Sequence, residues 1–205
     1  MKNLMVVLTV AFFILSSCSS GPSVTRIDSN TQTDLSGQWN DTDVRIVCRS
    51  LIDSCLNSQR VDQEIRDIAR EKGIRTPTVM IGRFRNESSE HIDTEIITTS
   101  MRTAIINSGK LDFVAVGDTR DAIRAERLDQ LEHASEETAA SLGREIGADF
   151  MLTGTVKTIV ERSGDQTIRT YYVTAELTNI TTNRIIWSEE NSEIKKMIVR
   201  PRNRL

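Results

Sequence analysis

The chain has 205 residues, of which 38% are hydrophobic and 4% aromatic, and its 26 Lys and Arg against 29 Asp and Glu give a net charge of −3. That balance excludes a nucleic-acid surface built on bulk positive charge. The length suffices for one domain, and scarce aromatics leave its core to Leu, Ile and Val.

The chain opens as an export signal. Lys2 supplies the positive start, and residues 4–15 form an apolar run. That run is shorter than the roughly 20 residues a membrane-spanning helix needs. It ends in Leu15-Ser16-Ser17-Cys18, a branched apolar residue and two small ones before cysteine, which reads as a lipobox. Residues 1–17 are therefore expected to be a cleaved signal, with Cys18 the lipid-bearing first residue of the mature protein. An ordinary signal peptide beside a chance cysteine is the alternative. Loss of Lys2 takes the charge from −3 to −4. Ser19 stands where an Asp would retain an enterobacterial lipoprotein in the inner membrane, which favours the outer membrane. Residues 18–36 are small and polar and read as a flexible tether, which extends to at most about 60 Å.

The folded domain is expected over residues 37–205. Asp41-Thr42-Asp43 opens a helix whose apolar face is Val44, Val47, Cys48, Leu51, Ile52 and Cys55. On one helix Cys48 and Cys55 lie about 10 Å apart, beyond the roughly 7 Å a disulfide tolerates. They read as core hydrophobes, with a bridged or redox pair as the alternative. A second amphipathic stretch covers residues 61–72 and stops at Gly73. Residues 78–84 read as a buried strand, followed by a polar loop over residues 85–90. A helix is expected over residues 92–108, carrying Ile92, Ile96, Met101, Ala104 and Ile105 and ending at Gly109. Residues 113–116 read as a short strand, and residues 118–131 and 135–146 as two helices begun by Asp118 and Ser135. The pattern then becomes β-rich. Residues 150–160 form a strand, Ser163-Gly164-Asp165 a turn, and residues 168–178 alternate, with Tyr171, Val173, Ala175 and Leu177 on one face and Thr170, Tyr172, Thr174 and Glu176 on the other. Thr181-Thr182-Asn183 turns the chain and Ile185-Ile186-Trp187 returns it. The fold class expected is α/β: a small mixed sheet flanked by helices, closing with an antiparallel meander.

No catalytic or metal-binding pattern emerges. His91 and His133 lack paired cysteines or the HExxH spacing and read as surface residues. There is no GxSxG elbow and no P-loop. Gly143 and Gly147 precede a strand rather than follow one, which is the wrong order for a dinucleotide loop. No cofactor, metal, nucleic acid or small-molecule substrate is expected. Lys195, Lys196, Arg200, Arg202 and Arg204 crowd the end of the chain. They read as a solvated tail, or alternatively as an electrostatic contact with an anionic envelope polymer, lipid headgroups or an acidic partner.

Four blocks then carry a resemblance. DLSGQWNDTD at residues 34–43, MRTAIINSGKLDFV at 101–114, GADFMLTG at 147–154 and ELTNITTNRIIWS at 176–188 resemble, in that order, LpoB-type penicillin-binding protein activators. With the lipobox they span nearly all of the mature chain. The resemblance implies an outer-membrane lipoprotein, facing the periplasm, that binds and stimulates a class A penicillin-binding protein and has no active site of its own. It also implies a mixed sheet flanked by helices. Enterobacterial members carry a long Pro-rich tether, whereas the tether here is short and holds only Pro22. The partner-binding candidates are Arg83, Arg85, Asn86 and Glu87, where polar residues leave the first strand; an ordinary solvated loop is the alternative. Trp39 and Asn40 read as an anchor for the first helix. The rival function is a structural or secretion-associated envelope lipoprotein with a curli-export-like α/β domain.

Overall fold

In the computed structural model, residues 24–28, 31–115, 117–132 and 147–200 are described. The chain forms two compact units, Met1–Thr31 and Gln32–Leu205, and every element named below lies in the second.

Helix α1 (Asp41–Leu56) starts at Asn40, whose side-chain oxygen accepts from the Thr42 and Asp43 N–H groups while Asp43 accepts from the Asn40 N–H at 2.9 Å. This reciprocal cap satisfies donors that the first helical turn leaves open. All six residues of the expected apolar face are buried. Helix α2 (Gln59–Lys72) follows at once. Between them Lys110 donates to the last carbonyl of α1, at Leu56, and to Asp62 of α2. A cation at a helix C-terminus also opposes the partial negative charge there.

Strand β1 (Thr78–Asn86) leads to helix α3 (Thr94–Ser108), strand β2 (Asp112–Phe113) and helix α4 (Asp118–Glu132). Strands β3 (Phe150–Ser163), β4 (Gln166–Asn179), β5 (Arg184–Asn191) and β6 (Lys195–Val199) complete the described residues. The open six-stranded sheet runs β2-β1-β3-β4-β5, parallel about β1 and antiparallel from β3 onward. Strand β6 continues along the β4 edge beyond β5. Helices α1, α2 and α3 pack on the face carried by Val79, Leu152, Val156, Tyr171, Val173, Ala175 and Leu177, all buried. Polar ties pin them. Trp187 donates to Ser54, Ser54 to Glu189, Asn191 to Ser50, and Asn179 to Glu64.

The expected fold class is therefore present, and the alternation of β4 is as read. Some local readings change. Strand β1 runs two residues further, through Arg85 and Asn86, because β3 continues beside it to Val156. Helix α3 starts at Thr94 and not at Ile92: Asp93 caps it through the Glu95 N–H. That phase buries Ile97, Met101 and Ile105 and leaves Ile96 55% exposed. Ile92 and Ile97, both buried, then hold the positions of a hydrophobic staple. Strand β2 is only two residues, 112–113, since β1 offers it only Thr78 and Val79. The helix expected at 135–146, with His133 and Gly143, lies outside the described residues.

The last correction concerns the basic tail. Lys195 to Val199 form a strand, and Lys196 is 9% exposed. Its ammonium donates to Asp43 at 2.6 Å, Asp34 at 2.7 Å and the Gln38 carbonyl at 2.9 Å. Residues 34–40 thus lie along β6 as a strap. Asn40 secures it further by donating to the Thr33 carbonyl and to Asp34. At Gly37 the backbone adopts φ +65, and any Cβ there would run into the Ile198 side chain, so only glycine serves. Arg202 and Arg204 lie outside the described residues.

Candidate functional site

Register along β1 explains where its arginines go. Ile81 pairs with Leu152 and Phe84 with Gly154, so Gly82 and Arg83 together oppose the single Thr153. This bulge changes the phase of the strand. Ile81 and Phe84 both turn to the core side, and the two arginines flank Phe84 on the other. Gly154 makes room for the Phe84 ring: a Cβ there would overlap the ring and come within 2.6 Å of the Thr174 carbonyl oxygen.

On the sheet face away from α1–α3, Arg83, Arg85 and Lys157 border a groove of about 420 Å³. Its floor is Thr153, Thr155 and Thr174, with Glu176 at one side. Glu87 bridges Arg85 and Lys157, at 3.4 Å from each. Arg83 has no ion pair among the described residues. Exposed ion pairs of this kind contribute little to stability.

Of the four expected residues, Arg83 and Arg85 line the groove and Glu87 sits on its rim. Asn86 does something else. Its amide donates to the Glu90 carbonyl at 2.7 Å, and its oxygen accepts from the Ser88 N–H and hydroxyl, which folds the loop back on itself. The loop is then locked from below by Glu90. That carboxylate accepts from Arg169 at 2.6 Å, from the Tyr171 hydroxyl at 2.8 Å and from the Trp39 N–H at 3.1 Å. Burial, with Glu90 adding to it, raises the Tyr171 phenol and keeps it a donor. Trp39 stacks tilted against Tyr171, ring centroids 5.2 Å apart. Trp39 and Asn40 thus anchor the strap and α1. Lys157, Thr153 and Thr155 come to the groove from a distant strand and carry no local signal. Thr174 and Glu176 were legible as the outward face of β4.

Cys48 and Cys55 are buried and unbridged, and burial pushes both thiols up to about 12. Thiols so protonated are inert core groups. His91 is exposed. Among the described residues, no His, Cys, Asp and Glu side chains gather as a metal site, and no helix is long and apolar enough to cross a membrane.

The model of a family described as peptidoglycan-synthase activator LpoB matches residues 43–193. The chain belongs to the LpoB family. Members of this family are envelope lipoproteins that act on penicillin-binding proteins. Similar solved structures include E. coli LpoB (15% identity over 89% of this chain and 86% of that one, TM-score 0.41). They also include the Salmonella enterica LpoB C-terminal domain (17%, 64% and 93%, TM-score 0.34) and Neisseria meningitidis lipoprotein GNA1162 (17%, 59% and 83%, TM-score 0.38). No curated protein sequence matches the chain. The LpoB match runs from the cap of α1 to the end of β5 and contains every groove residue. The sequence block at 147–154 has a structural role in this chain. Asp149 is 3% exposed and accepts from Lys72, from the Thr78 N–H at 2.7 Å and from the Thr78 hydroxyl at 3.0 Å.

Proposed function

We propose that this protein is a lipid-anchored outer-membrane lipoprotein, facing the periplasm, that binds a class A penicillin-binding protein and stimulates its glycan polymerisation. The observation that carries the reading is the family match over residues 43–193. The lipobox ending at Cys18 supports the anchor, because acyl chains on one cysteine hold a protein firmly at a bilayer. The protein acts as a regulator with no chemistry of its own. It raises the rate by binding the active conformation of the synthase more tightly than the resting one, since only differential affinity shifts such an equilibrium.

The docking face in this reading is the groove of Arg83, Arg85 and Lys157, which suits a partner surface bearing carboxylates. Its flat threonine floor allows close approach, and its charges set orientation and on-rate. Reversing both arginines, Arg83→Glu with Arg85→Glu, is expected to weaken binding to the synthase by roughly tenfold to a hundredfold, mostly through slower association that responds steeply to salt. Surface plasmon resonance against the organism's own synthase reads this. Unchanged affinity, with the variant folded, would move the docking face elsewhere.

A further inference from the structure

Beyond the pairing of Asn86 with Val156, strands β3 and β4 run on without β1 to a two-residue turn at Gly164-Asp165, and β6 accompanies them. On the helix side of this three-stranded tip, opposite to the groove face, Arg162 pairs with Thr167 and Thr167 with Ile198. Together with Arg169, Arg200 and Asp165 they line a cleft of about 630 Å³. That volume lies in the range of small-ligand sites.

We propose that this cleft binds a phosphate-bearing ligand through Arg162, Arg169 and Arg200. Three guanidinium groups and one carboxylate, Asp165, line the cleft, and Glu90 pairs with Arg169 behind it, which leaves the site at +1 in a chain whose overall charge is −3. Arg162 and Arg200 have no ion pair among the described residues. Arg200 is fixed at the turn by its backbone N–H, which donates to the Asp165 carbonyl at 2.9 Å. Arg169 is preorganised: Glu90, 8% exposed, holds one terminal nitrogen, while its Nε is buried with no acceptor among the described residues. Guanidinium forks match the oxygens of phosphate better than a lysine ammonium does. A phosphate group, in a diphosphate or phosphomonoester, offers its oxygens to Arg162 and Arg200, whose guanidinium groups have no ion pair among the described residues. The Thr167 hydroxyl offers a neutral hydrogen bond, and Ile198 gives an apolar wall for whatever the phosphate is attached to.

The site goes beyond the activator reading and uses none of the groove residues. The test uses the soluble chain from residue 19, which keeps the whole unit Gln32–Leu205. Inorganic diphosphate is titrated calorimetrically at low salt, and vesicles of phosphatidylglycerol are compared with vesicles of phosphatidylcholine by flotation. Saturable diphosphate binding that falls by roughly tenfold or more in Arg162→Ala/Arg200→Ala, and persists in Arg83→Ala/Arg85→Ala, is the expected result. Vesicle binding alone, lost in the same cleft variant, would support the site with a lipid headgroup as the source. Absence of saturable binding in both arms overturns the proposal. So does binding indifferent to the cleft substitutions while the variant melts like the parent chain.

Discussion

Replacing Lys196 with methionine is expected to destabilise the folded unit by about 3–5 kcal/mol, the cost of breaking a buried ion pair from one side. Asp43 is 3% exposed and would be left as a buried carboxylate without its cation. The Gln38 carbonyl would lose its donor, and Asp34 its hold on β6. The strap over residues 34–40 and the cap of α1 share Asp43, so both loosen together. Lys195→Met, one residue away and exposed, is expected to change stability by less than about 0.5 kcal/mol. Urea denaturation followed by circular dichroism separates the two, with the shift seen in the midpoint. Equal midpoints for Lys196→Met and Lys195→Met would contradict the buried Lys196–Asp43 pair.

The same lysine has an alkaline signature. Burial pulls the Lys196 ammonium down, but the hydrogen bonds it donates to Asp34 and Asp43 outweigh this and hold its pKa above the ordinary 10.5. Two carboxylates facing one ammonium give that direction. A raised folded-state pKa means the contribution is complete below about 10.5 and disappears as pH rises through the folded value. Asp43 itself is raised, by burial against the help of Lys196, so it adds nothing to acid lability.

Asp149→Ala is expected to cost about 2–4 kcal/mol, because three hydrogen bonds, each strengthened by the charge of the acceptor, close on one buried carboxylate. The Thr78 N–H would be left without its acceptor at the start of β1, and Lys72 at the end of α2 would lose its partner. Asp149 also joins β3 to β4 and β1 through its backbone, since the Ile180 N–H donates to its carbonyl and its own N–H to Thr78. Burial pushes the Asp149 carboxyl up, yet Lys72 and Thr78 overcome this and hold it below its usual 3.8. Its contribution is therefore present above about pH 3.8 and lost as pH falls through the depressed value. Asp149→Asn should flatten the acid limb of the stability curve. An acid limb identical to that of the parent would remove Asp149 as its source.

What the sequence made legible was periodicity. The apolar face of α1 and the alternation of β4 were readable because each repeats at the spacing its own backbone imposes. Turn residues were readable for a related reason: Gly73 and Gly109 both adopt left-handed conformations at helix ends, and Asn183 does so in the β4–β5 turn. Arg83 and Arg85 stand together in the sequence, but Lys157, which lines the same groove, was hidden, because strand register across the sheet leaves no local trace. Gly82 inside a strand was a signal for the bulge that aims those arginines. Lys196 was misread for a deeper reason. Composition counts its charge with a basic tail, whereas its environment is set by Asp34 and Asp43, far away in the chain. A lysine read alone is taken as solvated, and only the fold shows that it is buried against acids.

The most direct test of the activator reading is glycan polymerisation from lipid II by the organism's own class A penicillin-binding protein, with and without the soluble chain from residue 19. A rate increase that saturates with added protein, and is lost in Arg83→Glu/Arg85→Glu, is the predicted result. An unchanged rate, with the added protein folded and the synthase active, would contradict it.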